Sequence, residues 1–162
     1  MRFFILVVLL IGSAQVGFAT EINQIKIQVS LNLKRCDDSF VNLEPQNCQD
    51  GIPTEKDLTF DLATNCKQVG DSNVCTRSAM VTSIMDKGSA NAIIVISKKT
   101  STQGVQILAT VILVPSVNSL QQSVLTLTLP ETGLFPPKTG LGAAVFKVAD
   151  DSHIYFPSLV IK

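Results

Sequence analysis

Aromatic side chains are scarce in this sequence of 162 residues, which has no tryptophan, one tyrosine and eight phenylalanines. Sugar-binding surfaces use aromatic rings as stacking platforms, and outer-membrane barrels use them as girdles at the membrane interfaces, so the sequence argues against both. The single histidine, His153, excludes a metal centre built from several imidazoles. It leaves one candidate for acid–base chemistry near neutral pH.

Charge is also limited. Only 16% of the residues are charged, and the formal net charge at pH 7 is zero. Proteins that bind nucleic acids carry a strongly basic surface, so nucleic acid is not an expected partner. The sequence also lacks a phosphate-binding glycine loop, a calcium loop and a redox C-x-x-C pair. We therefore expect no cofactor and no enzymatic activity.

The first nineteen residues have the pattern of an export signal. Arg2 precedes an apolar run from Phe3 to Ile11, and Gly17-Phe18-Ala19 resembles a cleavage site. The run is far shorter than the roughly 20 residues of a transmembrane helix, so no membrane span is expected in the mature chain. The sequence thus predicts a signal peptide at residues 1–19, a single β-rich domain at residues 20–162, and a periplasmic or secreted location.

Four cysteines, Cys36, Cys48, Cys66 and Cys75, are separated by eleven, seventeen and eight residues. These gaps are too long for a structural zinc site, and an even number of cysteines in an exported chain favours two disulfides. Shorter loops close at a lower entropic cost than longer ones. Pairing Cys36 with Cys48 and Cys66 with Cys75 is therefore preferred over the two crossed arrangements.

Several segments have the pattern of β-strands. Apolar residues alternate strictly with polar ones from Ile25 to Leu33, which predicts a strand with one buried face. With the other short apolar and alternating segments this gives about eight strands and an antiparallel β-sandwich, immunoglobulin-like or similar. The other segments are 58–62, 74–85, 92–96, 105–114, 124–129, 143–148 and 154–161.

Other patterns give more specific expectations. The runs 92–96 and 105–114 are rich in β-branched residues, which is typical of central strands covered on both faces. Residues 34–55 are polar and predict a long loop braced by a disulfide, and the Pro- and Gly-rich segment 130–142 predicts another, with a turn at 140–142. Pro157 predicts an edge strand or a bulge. A short helix fits residues 118–122.

Two motifs resemble family signatures. Leu129-Pro130-Glu131-Thr132-Gly133 matches the L-P-x-T-G sorting signal of sortase substrates, but the residues after it predict a loop and strands instead of a membrane anchor. Gly70-Asp71-Ser72 and Asp150 to His153 resemble two blocks of the GDSL esterases, with Ser72 as nucleophile and His153 as base. The sequence around Ser72 predicts a hairpin and not the helix of that family. Both motifs are therefore interpreted as turns, with His153 a solvated turn residue.

The segment from Cys36 to Cys75 is strongly acidic, with eight Asp and Glu residues against two lysines. It is interpreted as a solvated lobe, and the alternatives are a surface for a basic protein partner and a weak calcium site, since calcium prefers oxygen ligands. The candidate partner-binding residues are Asp37, Asp38, Glu44, Asp50, Ile52, Pro53, Glu55 and Asp57.

The expected function is a non-catalytic exported binding or adhesion module, with another protein as the partner and loops of the sandwich as the binding region. The alternative is an inhibitor of a secreted hydrolase, because the braced segment 49–57 could enter an enzyme cleft at little ordering cost. In organisation alone, the alternating strand 24–33 resembles the strand that exported pilin-like subunits exchange between neighbours.

Overall fold

The computed structural model describes residues 22–115, 122–142, 145–149 and 151–162. The predicted signal peptide and residues 118–121 of the predicted helix lie outside these ranges. The described residues form eleven β-strands and no helix. The strands are β1 (Gln24–Val41), β2 (Glu44–Asp50), β3 (Thr54–Asp61), β4 (Lys67–Val69), β5 (Ser72–Met85), β6 (Gly88–Ser101), β7 (Gly104–Pro115), β8 (Ser123–Leu129), β9 (Thr139–Gly142), β10 (Phe146–Lys147) and β11 (His153–Ile161).

Two antiparallel sheets make up the fold. In the first, here called sheet A, β1 pairs with β11 on one side and with β3 and then β2 on the other, while β9 and β10 pair with the far side of β11. In the second, sheet B, strands β4 to β8 follow one another in sequence order. The all-β, antiparallel sandwich predicted from the sequence is confirmed, with more strands than the eight expected.

The core lies between the two sheets. The alternating residues of β1 face inward, and Val29, Leu31 and Leu33 are fully buried. They pack with the inward residues of sheet B, among them Ala92, Ile94 and Ile96 of β6. Burial of one face explains the strict alternation in the sequence. Because β1 is a central strand of its own sheet, the structure gives no support to its exchange with a neighbour.

The predicted long loop at residues 34–55 is wrong. Strand β1 continues to Val41 and turns directly into β2, so this region is a β-hairpin. Beyond the sandwich both faces of the hairpin meet solvent, and its residues therefore lack the apolar alternation by which strands are identified. The chain then passes to β3 at Gly51, where a Cβ atom would lie 2.6 Å from the carbonyl oxygen of Leu33.

Both predicted disulfides are present. Cys36 is bonded to Cys48 and Cys66 to Cys75, with Cα–Cα distances of 4.0 and 4.2 Å. The second bond closes the β4–β5 hairpin one residue beyond the pair Lys67 and Val74, as the sequence predicted. Neither pairing is crossed, so each bridge holds a separate hairpin.

Two expectations about the last strands are corrected. Residues 139–142 form β9 and not a turn, because they pair with residues 158–161 of β11. Strand β11 is an interior strand, so the edge position predicted from Pro157 is wrong. The bulge alternative agrees with the register, which shifts by one residue between the pairs Phe146–Tyr155 and Gly142–Ser158. By the alternation of the ladder, the nitrogen of Pro157 points away from β1, to the place where the neighbouring strand changes from β10 to β9. A missing N–H is tolerated at such a gap.

Strands β6 and β7 are central in sheet B, but they are not covered on both faces. Inward residues such as Ile94 and Ala109 are fully buried, whereas the outward residues Ile93, Val95 and Ile112 are only half-buried. No described element packs against them. Half of that prediction is therefore wrong, and the apolar outer face needs its own explanation.

Candidate functional site

The disulfide-braced hairpin projects from one end of the sandwich and is here called the arm, residues 36–50. Its two strands are joined by Asn42 and Leu43, which both have positive φ angles, 53° and 68°. Two successive residues of this kind make the turn that matches the twist of a hairpin. Leucine is costly in this conformation, by roughly 1–2 kcal/mol, so the tip keeps an apolar side chain where glycine would fold more easily.

Three apolar side chains are exposed at the tip of the arm. Phe40 and Val41 precede the turn, and their exposed fractions are 54% and 57%. Leu43, within the turn, is 93% exposed. A single exposed apolar residue needs no explanation, but three together on a projecting element are typical of an interaction site.

The base of the arm is fixed by covalent and polar contacts. The fully buried Cys36 is bonded to Cys48 across the two strands. Arg35 donates hydrogen bonds to the Asp86 carboxylate and to the side-chain carbonyl of Gln49. Because Asp86 lies in the turn between β5 and β6, the Arg35–Asp86 ion pair joins the base of the arm to sheet B.

Asp37 and Asp38, predicted to bind a partner, are used within the chain. Asn47 donates to an Asp37 carboxylate oxygen at 2.7 Å, which joins the two strands of the arm. Asp38 forms an ion pair with Lys147 of β10, and its backbone N–H donates to the carbonyl of Ser152 at 3.0 Å. These contacts orient the arm, and the partner-binding role of the two carboxylates stays a prediction.

His153 extends this network into the sandwich. Its Nδ1 donates to Asp151 at 2.6 Å, and its Nε2 lies 3.6 Å from an Asp37 oxygen. Tyr155 donates to the other Asp151 oxygen at 2.6 Å. The hydrogen bonds from Tyr155 and His153 hold the pKa of Asp151 well below its usual range. His153 thus begins β11 and is partly covered, and is not the solvated turn residue that was expected.

The remaining predicted residues are not brought together. Glu44 and Asp50 are exposed on the arm, and within the described residues neither carboxylate has an ion-pair partner. Ile52, which is 92% exposed, and Pro53 lie in the connection to β3. Glu55 and Asp57 lie on the outer face of β3, and Glu55 is 3.9 Å from Lys162. The eight residues therefore divide among the arm, the connection and sheet A.

The sequence reasoning missed Phe40, Val41 and Leu43, although three apolar residues within a polar segment are a usable signal. It also missed the anchors Asp86 and Lys147, which lie far along the chain from the arm. No local pattern joins residues at such separations. Asp86 and Lys147 come close to the arm only because β1 pairs with β11 and the two sheets pack together.

The residues of the two family-like motifs are placed by the structure. Ser72 begins β5. At the other end of β5, Asp86 in the turn after Met85 pairs with Arg35 at the base of the arm, near His153. Thirteen residues of extended strand separate these ends, roughly 43 Å. Ser72 and His153 therefore form no common site. The sortase-like motif is a turn, in which Gly133 donates its N–H to the carbonyl of Pro130 at 2.8 Å.

No group of three or more His, Cys, Asp and Glu side chains among the described residues is arranged to hold a metal ion. The suggested calcium site thus receives no support from the acidic arm. Within the same ranges no helix is both long and apolar enough to cross a membrane. The two disulfides are consistent with an extracellular or other oxidising compartment.

Comparison with known proteins gave no match, neither to a protein-family model, nor to a curated protein, nor to a solved structure. The function is therefore inferred from the geometry of this chain alone.

Proposed function

We propose that the protein is a non-catalytic exported binding module that contacts another protein through the tip of its arm. The observation that carries this proposal is the exposure of Phe40, Val41 and Leu43 on a hairpin that is fixed at its base by a disulfide and by ion pairs. A large apolar side chain that enters a partner's pocket is the usual centre of a protein interface. A braced arm delivers it with little loss of conformational entropy.

The charge of the arm indicates the kind of pocket it fits. Between Cys36 and Asp50 the arm has four carboxylates and no Lys or Arg. Asp37 and Asp38 are occupied at the base, while Glu44 directly follows the turn and is exposed. The partner is proposed to offer an apolar pocket with basic groups at its rim, since complementary charge steers association. The arm-bearing protein itself is proposed to be located in the periplasm or the culture fluid.

The chain offers a matched control for a test of this proposal. Leu43 and Ile52 are exposed to almost the same extent, 93% and 92%, but only Leu43 is on the arm. The immobilised mature protein and its Phe40→Ser/Leu43→Ser and Ile52→Ser variants are incubated with envelope extract of the source cells, and retained proteins are quantified by mass spectrometry. We expect the wild type and Ile52→Ser to retain a common partner. The amount of this partner retained by the arm variant is expected to be lower by a factor of roughly ten or more.

Two results would contradict the proposal. One is a partner that the arm variant retains as well as the wild type does. The other is the absence of any specifically retained protein. Circular dichroism of each variant shows whether it is folded, and because the substituted side chains are exposed, we expect little change in stability.

A second candidate function is inhibition of a secreted hydrolase, and it is favoured by the connection between β2 and β3. There Ile52 is almost fully exposed next to Pro53, between the disulfide-braced arm and the strand β3. A purified panel of proteases and glycosidases tests it. Inhibition that Ile52→Ser abolishes and Phe40→Ser/Leu43→Ser leaves intact would support this function, and no inhibition at micromolar concentration would remove it.

A further inference from the structure

Most of the outer face of sheet B carries no charged side chain. Residues that are opposite one another in β5 to β8 form rows across the sheet. Four of these rows point outward and contain fifteen residues in total. They begin in β5 at Thr76, Ser78, Met80 and Thr82. Seven are apolar, and the other eight are Ser, Thr or Asn. No charged residue occurs in these four rows. The next row of the same face contains two lysines, Lys67 of β4 and Lys99 of β6.

An apolar row crosses the middle of this face. Met80 of β5 is opposite Ile93, Ile93 is opposite Ile112, and Ile112 is opposite Val124 of β8. Met80 and Val124, at the two ends of the row, are 56% and 52% exposed. Exposed apolar surface that is continuous over four strands is not common on a soluble protein that works alone.

Most polar groups of the face form hydrogen bonds with one another. Thr76 and Ser97 share a hydrogen bond of 2.6 Å, and Thr82 donates to the side-chain carbonyl of Asn91 at 2.7 Å. Burial of a hydroxyl group is costly only when its hydrogen bonds to water are lost without replacement. Because these partners lie in the plane of the sheet, another surface can cover them at little cost.

The outer face of sheet A is different and serves as an internal comparison. There Lys26 is opposite Thr59, and Asp57 is opposite Gln28, so charges of both signs are interspersed with polar residues. This is the ordinary composition of a solvated sheet face, which presents polar residues outward. The uncharged rows are therefore a property of sheet B and not of the whole surface.

We propose that two copies of this chain associate through the outer faces of their B sheets. A face without charge has no electrostatic means of selecting a charged partner, but it is complementary to itself. Without Arg2 of the predicted signal peptide the formal net charge is −1, which leaves little repulsion between copies. With a two-fold axis in the interface, the central apolar row packs against the same row of the second copy, as in other isologous dimers.

The size of the face fits such a dimer. Four strands about 4.8 Å apart and four rows about 6.7 Å apart cover roughly 500 Å². Two such footprints together reach the roughly 1,000 Å² that distinguishes a biological interface from an accidental contact. This area is at the lower end of the range for specific protein interfaces, so we expect a reversible dimer. The dimer interface is separate from the contact proposed for the arm.

Sedimentation velocity of the mature chain over a dilution series from about 1 to 200 µM tests the proposal. We expect a monomer–dimer equilibrium for the wild type. The Met80→Asp/Val124→Asp variant, which places like charges in the interface, is expected to raise the dimer dissociation constant at least roughly 100-fold. The control Val160→Asp puts one aspartate at a 39% exposed position on the outer face of sheet A and is expected to leave the equilibrium unchanged.

A milder variant keeps the test valid if the double variant folds poorly. Val95→Ala, in the middle of the face, removes apolar contact area without adding a polar group and is expected to weaken the dimer several-fold. A wild type that remains monomeric at the highest concentration would overturn the proposal. So would a dimer that Met80→Asp/Val124→Asp leaves intact, or a monomer that binds phosphatidylcholine vesicles through this face.

Discussion

Tyr155 is the residue at which the core and the polar network of the arm meet. It is fully buried, its ring stacks on Phe146 with centroids 5.3 Å apart, and its hydroxyl donates to Asp151. Burial, together with the nearby Asp151 carboxylate, raises the pKa of Tyr155 to about 12. One side chain thus supports the hydrophobic core and positions Asp151, which in turn holds His153 at the base of the arm.

The raised pKa predicts how the protein responds to alkali. Because the folded state favours the neutral phenol, this contribution to stability is complete below about pH 10 and is lost as the pH rises towards 12. The tyrosinate absorbance reports on Tyr155 alone, as the chain has no other tyrosine and no tryptophan. We expect a midpoint near 12 in the folded protein and a lower one in Asp151→Asn. Titration near pH 10 without unfolding would contradict this.

Gly88 gives a second prediction at the scale of single residues. A Cβ atom at this position would lie 2.5 Å from ring atoms of Tyr155. Because the ring is fully buried and cannot move aside, Gly88→Ala is expected to lower the free energy of unfolding by about 1–3 kcal/mol. Gly142→Ala is the control, since a Cβ atom there meets nothing within 4 Å. Urea denaturation measures both, and equal stability of the two variants would show that the core yields at Tyr155.

At the scale of strands, the sequence was informative where exactly one face of a strand is buried. Ile25 to Leu33 of β1 and Leu125 to Leu129 of β8 show the alternation and were predicted correctly. The arm has two solvated faces, and β9 is a short strand with two glycines, so neither carries a pattern. The disulfides followed from spacing, but the contacts of Arg35 and Asp38 depend on folding and could not be predicted.

The two disulfides are predicted to stabilise hairpins and not the whole sandwich. The Cys36–Cys48 bond closes a loop with a sequence separation of 12, for which about 3 kcal/mol is expected. In Cys36→Ala/Cys48→Ala we expect the largest loss of amide protection at residues 37–49, whereas β6 and β7 stay folded and lose less protection. The intact Cys66–Cys75 bond serves as the internal reference. A loss of protection in sheet B as large as that at residues 37–49 would show that the bond supports the entire fold.

Across the whole molecule, β1 connects what would otherwise be separate parts. It pairs with β11, β3 and β2 and packs on β5 and β6 of the other sheet. The pairing of β1 with β11 joins residues more than 110 positions apart, from Val29 with Ile161 to Asp37 with His153. Folds dominated by such non-local contacts form slowly, because loop closure costs entropy before the contacts are made.

This arrangement predicts that the two sheets unfold together. Neither sheet can keep its inner face dry without the other, since the buried residues of β1 and of β6 belong to one core cluster. Tyr155 fluorescence reports on sheet A, at the point where the Tyr155 ring contacts Gly88 of sheet B. Far-ultraviolet circular dichroism reports on all strands. We expect both signals to give the same urea midpoint. Both are measured at one fixed protein concentration, because association would raise the stability as the concentration increases. An earlier fluorescence transition would mean that sheet A opens while sheet B persists, and the shared core would then not couple them.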